Sequence, residues 1–249
     1  AAPSSGVERK VDVRTLACPG PIVRLKGEME KLAPGETLRL LAAASFAPDL
    51  EAGSRSSGSE VASLEKQGDQ LEAVIRKGGA PAESAAAPAA VPGGNGAAIV
   101  LFSNDLDKAM AALIIACGMA ASGAKVGIFF TFWGLSVLRR NPAPAVKKNL
   151  VSRLFGWMLP CGASKLALSK MNMAGLGSAM MKQVMKQQNV TSLPDLLREA
   201  RELGVKFVAC EMAMNVMGIT REELVEVDEV AGVASFVGMA KESSTTLFI

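Results

Sequence analysis

The chain has 249 residues, 49% hydrophobic and 20% charged, with a net charge of +3; this composition belongs to one large or two small folded domains and excludes a disordered chain. It contains no histidine and no tyrosine, which excludes Ser-His-Asp and Cys-His nucleophile pairs, HExxH zinc sites and tyrosine acid–base chemistry. With 9 Phe, 2 Trp and no nucleic-acid-binding motif beside its basic residues, the chain is not expected to bind nucleic acid.

Residues 11–14 alternate apolar and polar like a strand, and Ile22, Val23, Leu25, Met29 and Leu32 follow a helical spacing that Pro34-Gly35 stops. Residues 37–41 read as the next strand and 47–57 as a short second helix. Residues 60–65 and 70–76 read as two strands around a Gly68-Asp69 turn. The order is βαβαββ, a two-layer α+β sandwich. Residues 78–97 carry three prolines and no hydrophobic periodicity and read as a flexible linker, leaving modules at 8–77 and 98–249.

The second module opens with Ala98-Ile-Val-Leu-Phe102, an apolar run suited to a strand buried on both faces. Asn104 and Asp107 cap a helix over 105–122, and 125–130 form a second buried strand. A basic, Met-rich helical stretch follows, then a helix capped by Ser192 and Asp195 and a third strand over 206–209. Residues 211–219 are helix-like, and Thr220-Arg-Glu-Glu223 forms a further capping box. Apolar strands alternating with helices predict a flavodoxin- or Rossmann-like parallel sheet with helices on both faces. The thirteen methionines, dense at Met171, Met173, Met180, Met181, Met185, Met212, Met214 and Met217, are expected to fill the core, since no Cys or His joins them at ligand spacing. No metal is expected. Gly175-Leu-Gly177 fails the dinucleotide fingerprint, so no cofactor is expected either.

Charge is distributed unevenly. Between Asp107 and Asp195 there is no acid and there are eleven lysines and arginines, a field that attracts anions. Arg139, Arg140, Lys165 and Lys170 are the candidate anion-binding residues. The uncharged runs of residues 109–138 are too short to span a bilayer; weak association with a membrane surface through Phe129-Phe-Thr-Phe-Trp133 and the basic block is the remaining membrane reading.

The four cysteines, Cys18, Cys117, Cys161 and Cys210, form no CxxC pair, and with no apolar leader legible they are expected to be reduced thiols of a cytoplasmic protein. Cys18 stands in Leu16-Ala-Cys-Pro-Gly-Pro21 between a strand and a helix start. The two prolines are tolerated there because first-turn positions lack intrahelical N–H partners, and the dipole's positive end favours a thiolate or persulfide anion. Cys210 closes the strand Val205-Lys-Phe-Val-Ala-Cys210 and leads into a helix, at the carboxyl edge where open α/β sheets bind ligands. Cys117, inside an apolar helix, reads as core. Cys161, in Pro160-Cys-Gly within the basic block, is a candidate accessory thiol.

Asp12-Val-Arg14, Leu16-Ala-Cys-Pro-Gly-Pro-Ile22, Lys26 and Gly35-Glu36 resemble the TusA/SirA family of sulfur carriers, whose Cys-Pro-x-Pro cysteine carries a persulfide. The resemblance implies that role for Cys18. Ala43-Ala44-Ser45 stands where those relatives have Asp-Pro, and Gly53-Ser54-Arg-Ser-Ser-Gly58 replaces their second-helix sequence. Residues 98–249 resemble the DsrE/DsrF/DsrH family through Leu113-Ile-Ile-Ala116, Phe129-Phe-Thr-Phe-Trp-Gly-Leu135, Leu168-Ser-Lys-Met-Asn-Met173, Cys210-Glu-Met-Ala-Met, Val216-Met-Gly-Ile219, Gly232-Val-Ala-Ser-Phe236 and Leu247-Phe-Ile249. That resemblance implies a persulfide on Cys210 and homo-oligomers. Together they imply a sulfurtransferase-type carrier whose partners are sulfur-donor and sulfur-acceptor proteins and small anionic sulfur species. Similar tandems also end larger coenzyme A disulfide reductase and rhodanese fusions, which would make this chain the C-terminal part of a pyridine nucleotide-disulfide oxidoreductase. The competing class is a non-catalytic docking module with packed cysteines.

Overall fold

A computed structural model describes residues 9–16, 20–47, 50, 54, 59–78, 95–146, 148, 156 and 158–249, which divide into two compact units. Most of the expected second helix over 47–57 and most of the linker lie outside the described residues, as does Cys18; Ala47, Leu50 and Ser54, which are described, are helical.

In the first unit the period-2 pattern decides the sheet. β2 (Thr37–Ala43) turns Leu38, Leu40 and Ala42 to one face, and β4 (Gln70–Arg76) turns Leu71, Ala73 and Ile75 to the same face. Their antiparallel register sets Leu38 opposite Ile75, Leu40 opposite Ala73 and Ala42 opposite Leu71, so a one-residue slip would expose the whole set. β1 (Arg9–Asp12), two residues earlier than the sequence pattern suggests, pairs parallel with β2, and β3 (Glu60–Gln67) forms the outer edge, giving the order β1-β2-β4-β3. The parallel β1–β2 pair needs a crossover, supplied by α1 (Gly20–Glu30), whose Leu25 and Met29 close the core over the sheet. Each large buried aliphatic side chain there contributes about 1.5–3 kcal/mol. Lys77 ends α1 by donating its ammonium to the carbonyls of Leu32 at 2.6 Å and Glu30 at 3.2 Å. Gly35, at φ +88, makes the turn that follows.

The second unit is a five-stranded, all-parallel sheet in the order β8-β7-β6-β5-β9 with helices packed around it. β5 (Gly96–Leu101) is buried throughout, as are β6 (Lys125–Phe130) and β7 (Lys206–Cys210) beyond their first lysines, as a sheet covered on both faces requires. β5 begins two residues earlier than expected, within the stretch read as linker. The helices are α2 (Leu106–Ala121), α3 (Leu135–Leu138), α4 (Leu176–Gln187), α5 (Leu193–Glu202), α6 (Glu211–Met217) and α7 (Val233–Lys241). Ser192 caps α5 as expected, accepting from the Asp195 amide. Thr220 and Glu223 form the capping box on a 3-10 turn, Arg221–Glu223, with the Thr220 amide donating to Glu223 Oε2 at 2.9 Å. Two short strands complete the sheet at its edges, β8 (Glu229–Ala231) and β9 (Thr245–Phe248).

Two expectations are corrected. The methionines divide: Met214 and Met217 are buried, whereas Met171, Met173, Met180, Met181 and Met212 are exposed; Met180 and Met181 stay outside because α4 turns only Gly177 and Ser178 inward. The stretch 129–133 is no membrane-facing patch either. Phe129, Phe130 and Thr131 are buried as the end of a central strand, and of the five only Trp133 is exposed. No helix among the described residues is long and apolar enough to cross a membrane.

Candidate functional site at the carboxyl edge of the parallel sheet

Three central strands end level: Leu101 of β5 pairs with Phe130 of β6, and Phe130 with Ala209 of β7. Cys210 stands one residue beyond that line, opposite Ala231 of β8, and at a strand spacing of about 4.8 Å it adjoins the end of β6. Its backbone is still extended (φ −72, ψ 112) and the helix α6 begins at the next residue, so the thiol lies where a strand turns into a helix. Cys210 is 4% exposed.

The turn that leaves β6 shapes the neighbouring part of this edge. The 3-10 turn Phe132–Gly134 folds back so closely that the Gly134 amide donates to the Phe102 carbonyl at 2.8 Å. A Cβ on Gly134 would lie 2.0 Å from the Leu101 carbonyl oxygen, which explains a glycine there on steric grounds. Phe132 takes a positive φ of 45 to make the turn and stacks its ring 5.5 Å from Phe102, which in turn lies 5.7 Å from Phe248. α6 packs against β7 and against this turn, so Cys210 is enclosed on that side.

The segments leaving β6 and β7 are tied together by a buried ionic cluster. Arg139 and Glu223 form an ion pair at 3.4 Å with side chains 2% and 4% exposed, and the Lys148 ammonium, 8% exposed, pairs with the other Glu223 oxygen. The Arg139 guanidinium also donates to the carbonyls of Leu159 at 3.0 Å and Gly156 at 3.2 Å, and Lys148 donates to Gly218 at 2.6 Å. Burial pushes the Glu223 carboxyl up, but the hydrogen bonds from Lys148 and the Thr220 amide and the charges of Lys148 and Arg139 outweigh it and hold the group below the usual carboxylate range. Arg139, read from the sequence as an anion-binding residue, thus has Glu223 as its anion. Arg140 is exposed, with its Nε donating to the Leu224 carbonyl at 2.6 Å and its amide to the Glu223 carbonyl at 2.7 Å.

Lys165 and Lys170 are both exposed, and Lys165 lines a cleft of about 380 Å³ with Asn104, Asp105, Met158, Pro160 and Ala167. Cys161 follows that wall, half-buried, its Sγ 3.9 Å from the Leu159 carbonyl. Cys117 is buried in α2 with its Sγ 3.9 Å from the Leu196 carbonyl, a packed position. Asp107, expected only as a helix cap, also accepts from Ser169 through both its amide (2.9 Å) and hydroxyl (2.6 Å) and so fixes the start of the Met-rich segment. Sequence reasoning missed Glu223 and Lys148 as a charged pair. The available signal was that Arg139 and Arg140, at the end of an apolar run, needed an acid from elsewhere.

Comparison with known proteins gives this architecture its relatives. A model of the DsrE/DsrF/DrsH-like family matches residues 94–248, more than half of the chain. The chain belongs to that family. A second model, "Sulfurtransferase TusA", matches residues 9–77. The uncharacterized protein YrkE of Bacillus subtilis (strain 168) is 52% identical over 151 residues, 61% of this chain and 94% of that protein. The sulfur carrier protein DsrE2 of Allochromatium vinosum is 36% identical over 159 residues, 61% of this chain and 96% of its own length. The putative sulfur carrier protein YrkF of Bacillus subtilis is 41% identical over 70 residues, 28% of this chain and 38% of that protein.

Proposed function

We propose that this chain is a two-module sulfur carrier, with Cys210 and Cys18 each accepting sulfane sulfur and passing it on, the modules joined by a linker that ends before β5 begins at Gly96. The observation that carries the reading is the position of Cys210 on the carboxyl edge of the parallel sheet, in a module that shares 36% identity with a protein named as a sulfur carrier. The first module, which matches a sulfurtransferase model, contains Cys18 between Leu16 and the helix at Gly20.

The chemistry is thiol exchange. The Cys210 thiolate attacks the sulfane sulfur of a donor; a new S–S bond forms on Cys210, the donor's S–S bond breaks, and the electron pair leaves on the donor fragment. A persulfide donor leaves as thiolate, thiosulfate leaves as sulfite, and tetrathionate leaves thiosulfate and a Cys-S-thiosulfonate. Attack by an acceptor thiolate on the outer sulfur of the Cys210 persulfide reverses the exchange, so no cofactor is consumed. An enclosed thiol, 4% exposed, favours slim anionic donors such as polysulfide or thiosulfate at this module. Arg140, Lys165 and Lys170 are the exposed cations of the candidate set offered to them, and Cys161 beside the Lys165 cleft is the accessory thiol. Larger protein donors and acceptors fall to the Cys18 module. Reduced thiols and a cytoplasmic setting suit this exchange.

The test is transfer. Protein loaded with polysulfide and freed of excess reagent should release sulfane sulfur to an added thiol, read by cyanolysis. Release should fall by the share of whichever of Cys18→Ser or Cys210→Ser is examined, with Cys117→Ser unaffected. Equal release from all variants, or none from wild type, would favour a docking module with packed cysteines.

A further inference from the structure

The strand order of the second unit reverses at β5. β6, β7 and β8 follow it in turn on one side, and β9 returns to its other side. In open α/β sheets, small ligands bind outside the carboxyl ends of the strands at such a reversal. Asn104 and Asp105, in the loop that leaves β5 there, form one wall of the cleft of about 380 Å³, and Leu159, Pro160 and Lys165 form the other. Both walls are fixed by the fold itself. The Leu106 amide donates to the Ala167 carbonyl at 2.7 Å and ties one wall to the other. The Arg139 guanidinium holds the carbonyls of Leu159 at 3.0 Å and Pro160 at 3.5 Å, and the Gly162 amide donates to the Ser136 carbonyl at 3.2 Å. A cleft held in this way needs little ordering when a ligand enters.

The polar groups on these walls carry both signs. The Lys165 ammonium and the Asn104 side-chain amide have no partner among the described residues. The Asp105 carboxylate uses only Oδ2, which accepts from the Ser103 hydroxyl at 2.9 Å and from the Lys108 ammonium at 2.7 Å, and its Oδ1 is open. An inorganic anion drawn to Lys165 would also meet that carboxylate, and a lone cation would meet Lys165. A ligand that bears one ammonium and one carboxylate satisfies both walls, each through a charge-assisted hydrogen bond. The volume lies near the lower end of ligand pockets, which run from about 300 to about 1,000 Å³, and suits a molecule the size of one amino acid. Cys210 ends β7, two strands along the same edge, about 10 Å away at the usual strand spacing. We propose that the cleft binds the ammonium and carboxylate of a small amino-acid thiol, cysteine or its persulfide, on the edge that carries Cys210. The sulfur in this ligand rests on the sulfur-carrier reading and adds an organic donor to the inorganic ones; recognition of the zwitterion rests on the cleft alone.

The experiment is isothermal titration calorimetry of the full chain with S-methyl-L-cysteine, a zwitterion with no free thiol, against propionate and ethylamine, which each carry one of its two charges. The expected result is saturable binding of S-methyl-L-cysteine, with either half-ligand weaker by about tenfold or more. Lys165→Met and, separately, Asp105→Asn should each weaken S-methyl-L-cysteine by about tenfold, with circular dichroism as in wild type. Lys165 is exposed, so its variant keeps the test open if Asp105→Asn fails to fold. Three results overturn the proposal: no saturable binding, binding unchanged in both variants, or propionate binding as tightly as S-methyl-L-cysteine. The last would make the cleft a simple anion site. Loading of Cys210 by cysteine persulfide is read separately by peptide mass spectrometry, so failure of the carrier reading and failure of this one are distinguishable.

Discussion

Glu223→Gln removes the charge at the centre of the buried ionic cluster while keeping a side chain that can still serve the capping box with the Thr220 amide. The carboxylate is the only acid on Arg139 and Lys148 among the described residues, and all three side chains are more than nine-tenths buried. The amide keeps the shape and can still accept one hydrogen bond, but it leaves two cations at positions 2% and 8% exposed with no counter-charge. Removing one partner of a buried ion pair costs about 3–5 kcal/mol, because the remaining charge stays desolvated. For a domain of this size each kcal/mol lowers Tm by about 2–4 °C, so a loss of about 6–20 °C is expected. Urea unfolding followed by circular dichroism measures it directly, as a lower midpoint with an unchanged slope. The triple variant Arg139→Met/Lys148→Met/Glu223→Leu should recover most of the loss, since replacing a whole buried ionic group by apolar residues is often neutral. A Glu223→Gln penalty under about 1 kcal/mol would mean that water or another charge already compensates these cations, and would refute the reasoning.

The same cluster sets an acid limit. The Glu223 carboxyl is held below its ordinary value in the folded state, so its contribution is complete above the unfolded value of about 4.3 and is lost as pH falls below that through the folded value. Urea midpoints should therefore drop on acidification more steeply in wild type than in Glu223→Gln; parallel curves would contradict this. Gly134→Ala forces the β6 turn off the Leu101 carbonyl and should cost about 3 kcal/mol, with a neutral result in thermal melting showing that the turn can shift. Ser192→Ala removes the α5 cap and should cost about 1 kcal/mol, recovered largely by Ser192→Asp; an unchanged melting temperature would mean that Asp195 or solvent replaces the cap.

The sequence made the central strands legible because strands buried on both faces need uninterrupted apolar runs, and β5, β6 and β7 have them. β8 and β9 were missed for the complementary reason: Glu229–Ala231 and Thr245–Phe248 are short edge strands with mixed residues, and only their neighbours make them strands. Cys210 was found because the run ending in Ala-Cys followed by a helix fixes its place on the carboxyl edge. Arg139 was read as a surface cation because its partner, Glu223, is 84 positions away, a separation that no local spacing reports. The methionines of α4 show the limit of periodicity. The density of methionine there suggested core filling, but apolar content alone does not tell which face of a helix its own fold covers, and Gly177 and Ser178 took the inner face instead.

The central claim is that sulfur is carried on Cys210 and Cys18. Peptide-level mass spectrometry of the reduced protein after exposure to polysulfide or to tetrathionate tests it most directly, with Cys18→Ser and Cys210→Ser alongside. The account predicts added sulfane sulfur or thiosulfonate on both cysteines, each lost only in its own variant, with Cys117 unmodified. Peptides that stay unmodified at both positions with every donor would contradict it.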